Sequence, residues 1–271
     1  MTLRQWLSLM TGLWKAIVAS VTFLTIAACI HGAHPAWLAL LPGTILIGIL
    51  PVIVIRWSAL RRLAVAVRDE NVESAHRTLG EIKELRQWPK PDPWLSLVEA
   101  DLLFLERRWS AALAILDQIV PDSLGRRRPL LDDSMAWCLA HLGDTDRALE
   151  LSSRAVSDAR SWKGSVRTSL LGTLGTAQFF AGRHRDAIET LEESLALRAP
   201  GLTHAVHSYY LGEAWLQLGN GDRAMAAWER SVAEAPTSSW ATKANDRLRL
   251  LAQRDPYRAS AGGELPVRER T

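Results

Sequence analysis

Hydrophobic and polar positions divide the chain at residue 56. From Ala16 to Ile55 there is not one Asp, Glu, Lys or Arg, whereas beyond Arg56 apolar residues recur at three- and four-residue spacing among densely charged positions. Forty uncharged residues are about twice the roughly 20 needed to cross a hydrocarbon core once as a helix. The stretch therefore predicts two spans, at about 14–32 and 36–56, reversing at His31-Gly32-Ala33-His34-Pro35. Residues 1–13 precede this 14–57 hairpin. The remainder predicts amphipathic helices broken every 15 to 20 residues by Gly, Pro or Asp, and no stretch alternates as a strand does. The expected fold class is all-α throughout.

Charge orients the hairpin. Arg4 and Lys15 precede the first span, the turn carries neither Lys nor Arg, and Arg56, Arg61 and Arg62 follow the second. Positive flanks stay in the cytoplasm, so both termini are expected there. Trp14, Trp37 and Trp57 lie at span ends, where an indole keeps its ring apolar and its N–H in the headgroup layer. Arg56, Arg61, Arg62 and Arg68 are expected to pair with anionic lipid headgroups, each worth roughly 1 kcal/mol near the surface. A second reading of this region takes Ile26-Ala27-Ala28-Cys29 as a lipoprotein processing site. His31 and His34 alone make a poor metal pair, since no third ligand accompanies them.

Beyond residue 56 the pattern is periodic. Ala75, Ala112, Ala148, Ala187 and Ala224 recur at intervals of 37, 36, 39 and 37 residues, each early in an amphipathic helix. Around the last lie Leu211-Gly212, Trp215, Gly219, Trp228 and Pro236. Leu174-Gly175, Gly182 and Leu191 repeat the order one unit earlier, with Gln178 where an aromatic is expected, and Ala136, Gly143 and Ala155 repeat it before that. This order resembles the tetratricopeptide repeat (TPR). The resemblance implies an α-solenoid of helix pairs at about 58–87, 93–121, 129–157, 168–200 and 205–236. Small residues let the helices of a pair approach, large ones fill the space between pairs, and Gly143, Gly182 and Gly219 reverse the chain. Residues 237–254 are expected to cap the stack, with Trp240, Ala244, Leu248 and Leu251 inward and Lys243, Asp246, Arg247 and Arg249 outward. Residues 255–271 read as a disordered tail.

The resemblance further implies a concave face lined by the first helix of each pair, where peptides or partner helices bind. Its register places Trp94, Leu97, Asp101, Phe104, Asp133, Trp137, His141, Thr176, Phe180, Tyr209, Glu213 and Gln217 on that face. An aromatic and acidic lining suits a segment with apolar anchors and some positive charge. The face lacks the Lys/Arg/Asn set with which some family members clamp a chain end, so capture of an acidic terminus is not expected.

The remaining chemistry excludes more than it proposes. A net charge of +3 over 271 residues gives no nucleic-acid signature despite a pI near 9.1. Arg126, Arg127 and Arg128 read either as a solvated loop or as a contact for anionic lipid or an acidic partner. Two cysteines provide no disulfide framework, and Cys138 reads as a core thiol. His204 and His207 lack a third ligand, and no phosphate loop, nucleophile elbow or His-Glu-x-x-His occurs. No cofactor, no metal and no catalytic residue are expected. The layout resembles bacterial inner-membrane proteins that carry TPR arrays after N-terminal spans. It implies a scaffold that recruits a protein partner to the cytoplasmic face. The alternative is an accessory subunit of a transport or secretion complex whose hairpin makes the essential contacts.

Overall fold

The computed structural model describes residues 58–254 except 60, 64, 68, 86–92, 198 and 200. The expected spans, the Cys29 site, Arg56, Arg68 and the 255–271 tail lie outside the described residues. Among those described, no helix is long and apolar enough to cross a membrane, and there is no strand.

Helical residues between 58 and 67 are followed by ten helices: α1 (Val72–Leu85), α2 (Pro93–Leu105), α3 (Trp109–Leu116), α4 (Arg128–Leu142), α5 (Thr145–Asp158), α6 (Ser165–Phe180), α7 (His184–Ala196), α8 (Gly201–Gln217), α9 (Gly221–Glu234) and α10 (Ser239–Arg254). A 3-10 segment, Pro121–Arg127, joins α3 to α4. Consecutive helices pack as antiparallel pairs, and α4, α6, α8 and α10 also touch in series along one side of the stack. That is the geometry of a helical-repeat superhelix.

The alanines found by period lie in the interior of the stack: Ala75, Ala112, Ala148, Ala187 and Ala224 are all fully buried. Glycine serves the same end where a large side chain must lie flat on a helix backbone. A Cβ on Gly212 would come 2.4 Å from the Trp228 indole, and one on Gly175 would come 2.6 Å from Leu191. Second helices begin on side-chain caps in two pairs, where Asp144 accepts the Arg147 N–H and Asn220 accepts the Arg223 N–H. Cys138 is buried, and burial pushes its thiol up to about 12.

The turn between the helices of a pair needs one residue in the left-handed region. Gly143, Gly182 and Gly219 fill it at φ 89°, 75° and 77°. In the two units before them the same position, spaced by the same 37 and 36 residues, holds Glu70 at φ 50° and Arg107 at φ 57°. A side chain there costs about 1–2 kcal/mol relative to ordinary backbone.

The capping helix differs from expectation in one respect. Ala244 is buried and Leu248 and Leu251 pack on α9, but Lys243 and Arg247 do not face outward. α10 also lies along α8, so its second face turns towards the concave side of the superhelix.

Candidate functional site: the concave face

Aromatic rings run across this face as a continuous series. Phe104 meets Trp109 at 6.0 Å between centroids, and Trp109 stacks on His141 at 4.2 Å. His141 meets Phe180 at 5.1 Å, Phe180 meets Tyr210 at 5.7 Å, and Tyr210 meets Trp240 at 5.5 Å. The series links six helices and ties α10 to the earlier repeats.

His141 is its polar hinge. The Trp137 carbonyl, which can only accept, lies 2.9 Å from Nδ1 and so assigns the proton to that nitrogen. Nε2 then accepts from the Tyr210 hydroxyl at 2.9 Å. Burial holds His141 down to about 4, so the ring is neutral at neutral pH and both hydrogen bonds persist.

Two carboxylates stand on the wall formed by α2 and α4. Asp101 is exposed and Asp133 half-buried. Loss of water raises both to about 7, and Asp133 raises Asp101 further by like-charge repulsion. Thr173 offsets part of this by hydrogen bonding to Asp133. Asp133 Oδ1 is nonetheless buried with no hydrogen-bond partner. Neither carboxylate has a basic partner among the described residues. Trp94 lies on the same helix as Asp101, and the Arg127 guanidinium sits 5.2 Å above its ring.

The α8–α10 side carries the opposite sign. Arg247 grips Glu213 through two bonds of 2.8 and 2.6 Å, which satisfies a carboxylate that is 5% exposed. Lys243 Nζ sits 3.5 Å from the Trp240 centroid and 5.7 Å from that of Tyr209. Burial, and then the neighbouring Arg107 charge, bring Lys243 down to about 8.

The twelve residues assigned to this face by register have three fates. Trp94, Asp101, Phe180 and Gln217 are exposed, and Phe104, Asp133, Trp137, His141 and Tyr209 are half-buried. Leu97, Thr176 and Glu213 are buried: Leu97 joins the core with Ala100, Leu103 and Leu131, and Glu213 is covered by Arg247. Curvature draws the first helices together, so positions that would be open on a flatter stack become interior. Of the expected lipid contacts, Arg61 is exposed and Arg62 pairs with Glu81 at 3.0 Å.

Register missed Trp109, Tyr210, Trp240, Lys243 and Arg107. Only the Tyr209-Tyr210 doublet hinted at them, since one of two adjacent rings had to face an inter-helix seam. The other noted groups have structural employment. His204 Nε2 donates to the Leu197 carbonyl, and His207 is buried against Ser194. Arg126 to Arg128 end the 3-10 segment and start α4. No group of three or more His, Cys, Asp or Glu among the described residues could hold a metal ion.

The fold and this face define an α-solenoid built from repeated helix pairs around one concave surface. Family models described as tetratricopeptide repeat match residues 129–199 and 173–239, so this stretch of the chain carries tetratricopeptide repeats. Among solved structures it is similar to Bacillus thuringiensis PlcR in complex with the peptide PapR7 and DNA, at 9% identity over 73% of this chain and 74% of that one, with a TM-score of 0.59. It is also similar to NprR in complex with its cognate peptide NprX, at 14% identity, 74% and 73% coverage and a TM-score of 0.44. BtubC from P. vanneervenii gives 14% identity over 95% and 96% of the two chains, again at 0.44. No curated protein matches. At these identities the structural likeness concerns the fold alone.

Proposed function

We propose that this protein is a membrane-anchored interaction scaffold whose concave face holds a segment of a protein partner beside the bilayer. The observation that carries the binding role is the Asp101–Asp133 wall: two carboxylates without a basic partner, one with a buried oxygen that no donor reaches. A buried acceptor left unmade costs about 1–3 kcal/mol, and exposed Asp101 is the carboxylate of the pair that a ligand donor can reach. The fitting segment carries a guanidinium or ammonium there and apolar side chains against Trp94 and Phe180, which stay 37% and 38% exposed. The peptide complex of PlcR belongs to that protein and sets only the precedent that a similar fold binds a peptide. Anchoring rests on the uncharged residues 16–55 and their arginine flanks, with the repeats on the cytoplasmic side of a bacterial inner membrane.

Binding, and not catalysis, is the role assigned to the face. The test is photocrosslinking in cells from residue 94 or 180 of the full-length chain, with a probe at exposed residue 249 as control. The expected result is one membrane-fraction product, formed from both groove positions and lost on Asp133→Asn. Equal labelling from residue 249 would exclude a groove partner. Exchanging residues 14–57 for an unrelated two-span anchor separates the alternative, in which the hairpin itself contacts a transport or secretion complex: loss of function with the groove product intact would favour it.

A further inference from the structure

Four basic residues without acidic partners stand on one edge of the stack. Consecutive helices are antiparallel, so the loops that join one pair to the next fall on the edge where first helices begin, and the turns inside pairs fall on the other. Residues 117–128 and 158–167 belong to the first edge. They carry six basic residues against Asp117, Asp122 and Asp158, so the excess charge there is positive. Arg128 lies 4.0 Å from Asp132 and Arg167 3.7 Å from Glu193. Arg126, Arg127, Arg160 and Lys163 are exposed and form no ion pair with any described residue, and Arg127 is held over the Trp94 ring. On the opposite edge the turns neutralise charge locally: Arg108 meets Glu106 at 3.1 Å, Arg147 meets Asp144 at 3.3 Å and Arg183 meets Asp186 at 2.6 Å. Val120, the most exposed large apolar side chain among the described residues at 65%, also stands on the basic edge, where it precedes the 3-10 segment.

The uncharged segment joins the repeats at this same edge. The helical residues from Ser58 run antiparallel to α1: Ala59, Leu63 and Ala66 share a core with Ala75, Leu79 and Ile82, and Arg62 near the start of the stretch pairs with Glu81 near the end of α1. Ser58 therefore lies where the first helices begin. The chain from Ile55 to Ser58 spans at most about 11 Å, which tethers the edge to the end of the uncharged stretch. Successive first helices stand about 8–10 Å apart, so the start of α4 follows about 20 Å further along the edge.

We infer that this edge is a bilayer-docking surface, on which Arg126, Arg127, Arg160 and Lys163 pair with anionic lipid headgroups and Val120 inserts between them. The inference rests on the membrane-anchored reading above and deepens it by fixing how the repeats stand. An unpaired cation gains by approaching a negatively charged leaflet, and an exposed aliphatic side chain beside it gains by leaving water. A lipid surface fits better than an acidic protein, because the cations are spread over two successive loops with no pocket between them and the chain itself delivers their edge to the bilayer. First helices of 13 to 17 residues then rise about 20–25 Å from the membrane. The concave face opens sideways, along the bilayer surface.

The test uses the full-length Cys29→Ser chain reconstituted in phosphatidylcholine vesicles with or without phosphatidylglycerol. A thiol-linked bimane is placed by Val120→Cys, or by Leu218→Cys on the opposite edge as control; Cys138 is buried and stays unlabelled. A nitroxide on the lipid headgroup quenches only a fluorophore at the bilayer surface. With phosphatidylglycerol present, quenching at residue 120 is expected to exceed that at residue 218 by about threefold or more, and to fall about twofold when Arg126, Arg127, Arg160 and Lys163 are all replaced by Gln. Salt at about 1 M, where the screening length is about 3 Å, should reduce it equally without any substitution. Equal quenching at residues 120 and 218, or quenching at residue 120 that neither the Gln variant nor salt reduces, would overturn the docking surface. Loss of the groove crosslink in the Gln variant with unchanged quenching would also overturn it, and would assign the cations to an acidic protein. Alkaline carbonate extraction separates this edge from the anchor. A chain that resists extraction but is not quenched at residue 120 removes the edge alone, and an extracted chain that added anionic vesicles still quench removes the anchor alone.

Discussion

The Glu70 carboxylate accepts the backbone N–H of Ser239 at 2.7 Å and its hydroxyl at 3.3 Å, joining the first inter-helix turn to the start of the last helix across 169 residues. An anion at a helix N-terminus satisfies an orphan donor and interacts favourably with the helix dipole. Glu70 holds left-handed backbone to do so. The contact fixes how far the two ends of the superhelix stand apart. Glu70→Asn retains a residue suited to that backbone and removes the charge. Electron spin-echo distances between labels at residues 77 and 245 should broaden and lengthen, with a stability loss of about 1 kcal/mol. An unchanged distance distribution would show that packing alone sets the curvature.

Glu213 and Arg247 give a different outcome for single and double replacement. Arg247→Ala leaves a carboxylate 5% exposed without its partner and should cost about 2–4 kcal/mol in thermal or urea unfolding, below the upper range for deeply buried pairs because Arg247 is partly solvated. Replacing both, as in Glu213→Leu with Arg247→Met, should restore most of the loss.

Gly172 has no room for a side chain. A Cβ there would lie 1.8 Å from Nε2 of His207, whose ring is 4% exposed and bonded to Ser194. Gly172→Ala should destabilise by about 1–3 kcal/mol through overpacking. Adding His207→Ala should remove part of that penalty. If the two changes simply add, the ring moves freely and the proposed conflict is absent.

Asp101 and Asp133 predict a pH dependence opposite to that of ion-paired acids. Their folded values near 7 lie above the ordinary 3.8, so the native state holds more protons than the unfolded state between about pH 4 and 7. Stability then falls as pH rises through that window and stays low above it. Asp133→Asn should therefore be more stable than the parent at pH 8, by on the order of 1 kcal/mol after allowing for solvent screening, and should show little difference at pH 4. A cationic segment bound at the pair should release protons near pH 7, visible as a buffer-dependent binding enthalpy.

Several of these groups were legible before any coordinates. The five alanines found by period are all fully buried, because close approach of two helices leaves no alternative to a small residue at a fixed turn. Gly143, Gly182 and Gly219 were equally legible, since positive φ selects glycine locally. Glu70 and Arg107 broke that rule and hid the same turn position. Of the residues assigned to the face by register, Trp94, Asp101 and Phe180 are exposed, whereas Thr176 and Leu97 are buried, because their burial depends on how tightly neighbouring pairs close.

By itself the amino-acid sequence determined the helices, their pairing and the order of the stack, because these follow from apolar period, small residues and turn chemistry between near neighbours in the chain. Tertiary structure alone decided what meets across the superhelix: Glu70 with Ser239, and His141 with Tyr210. Such contacts arise from small rotations accumulated pair by pair, and no local pattern encodes that sum.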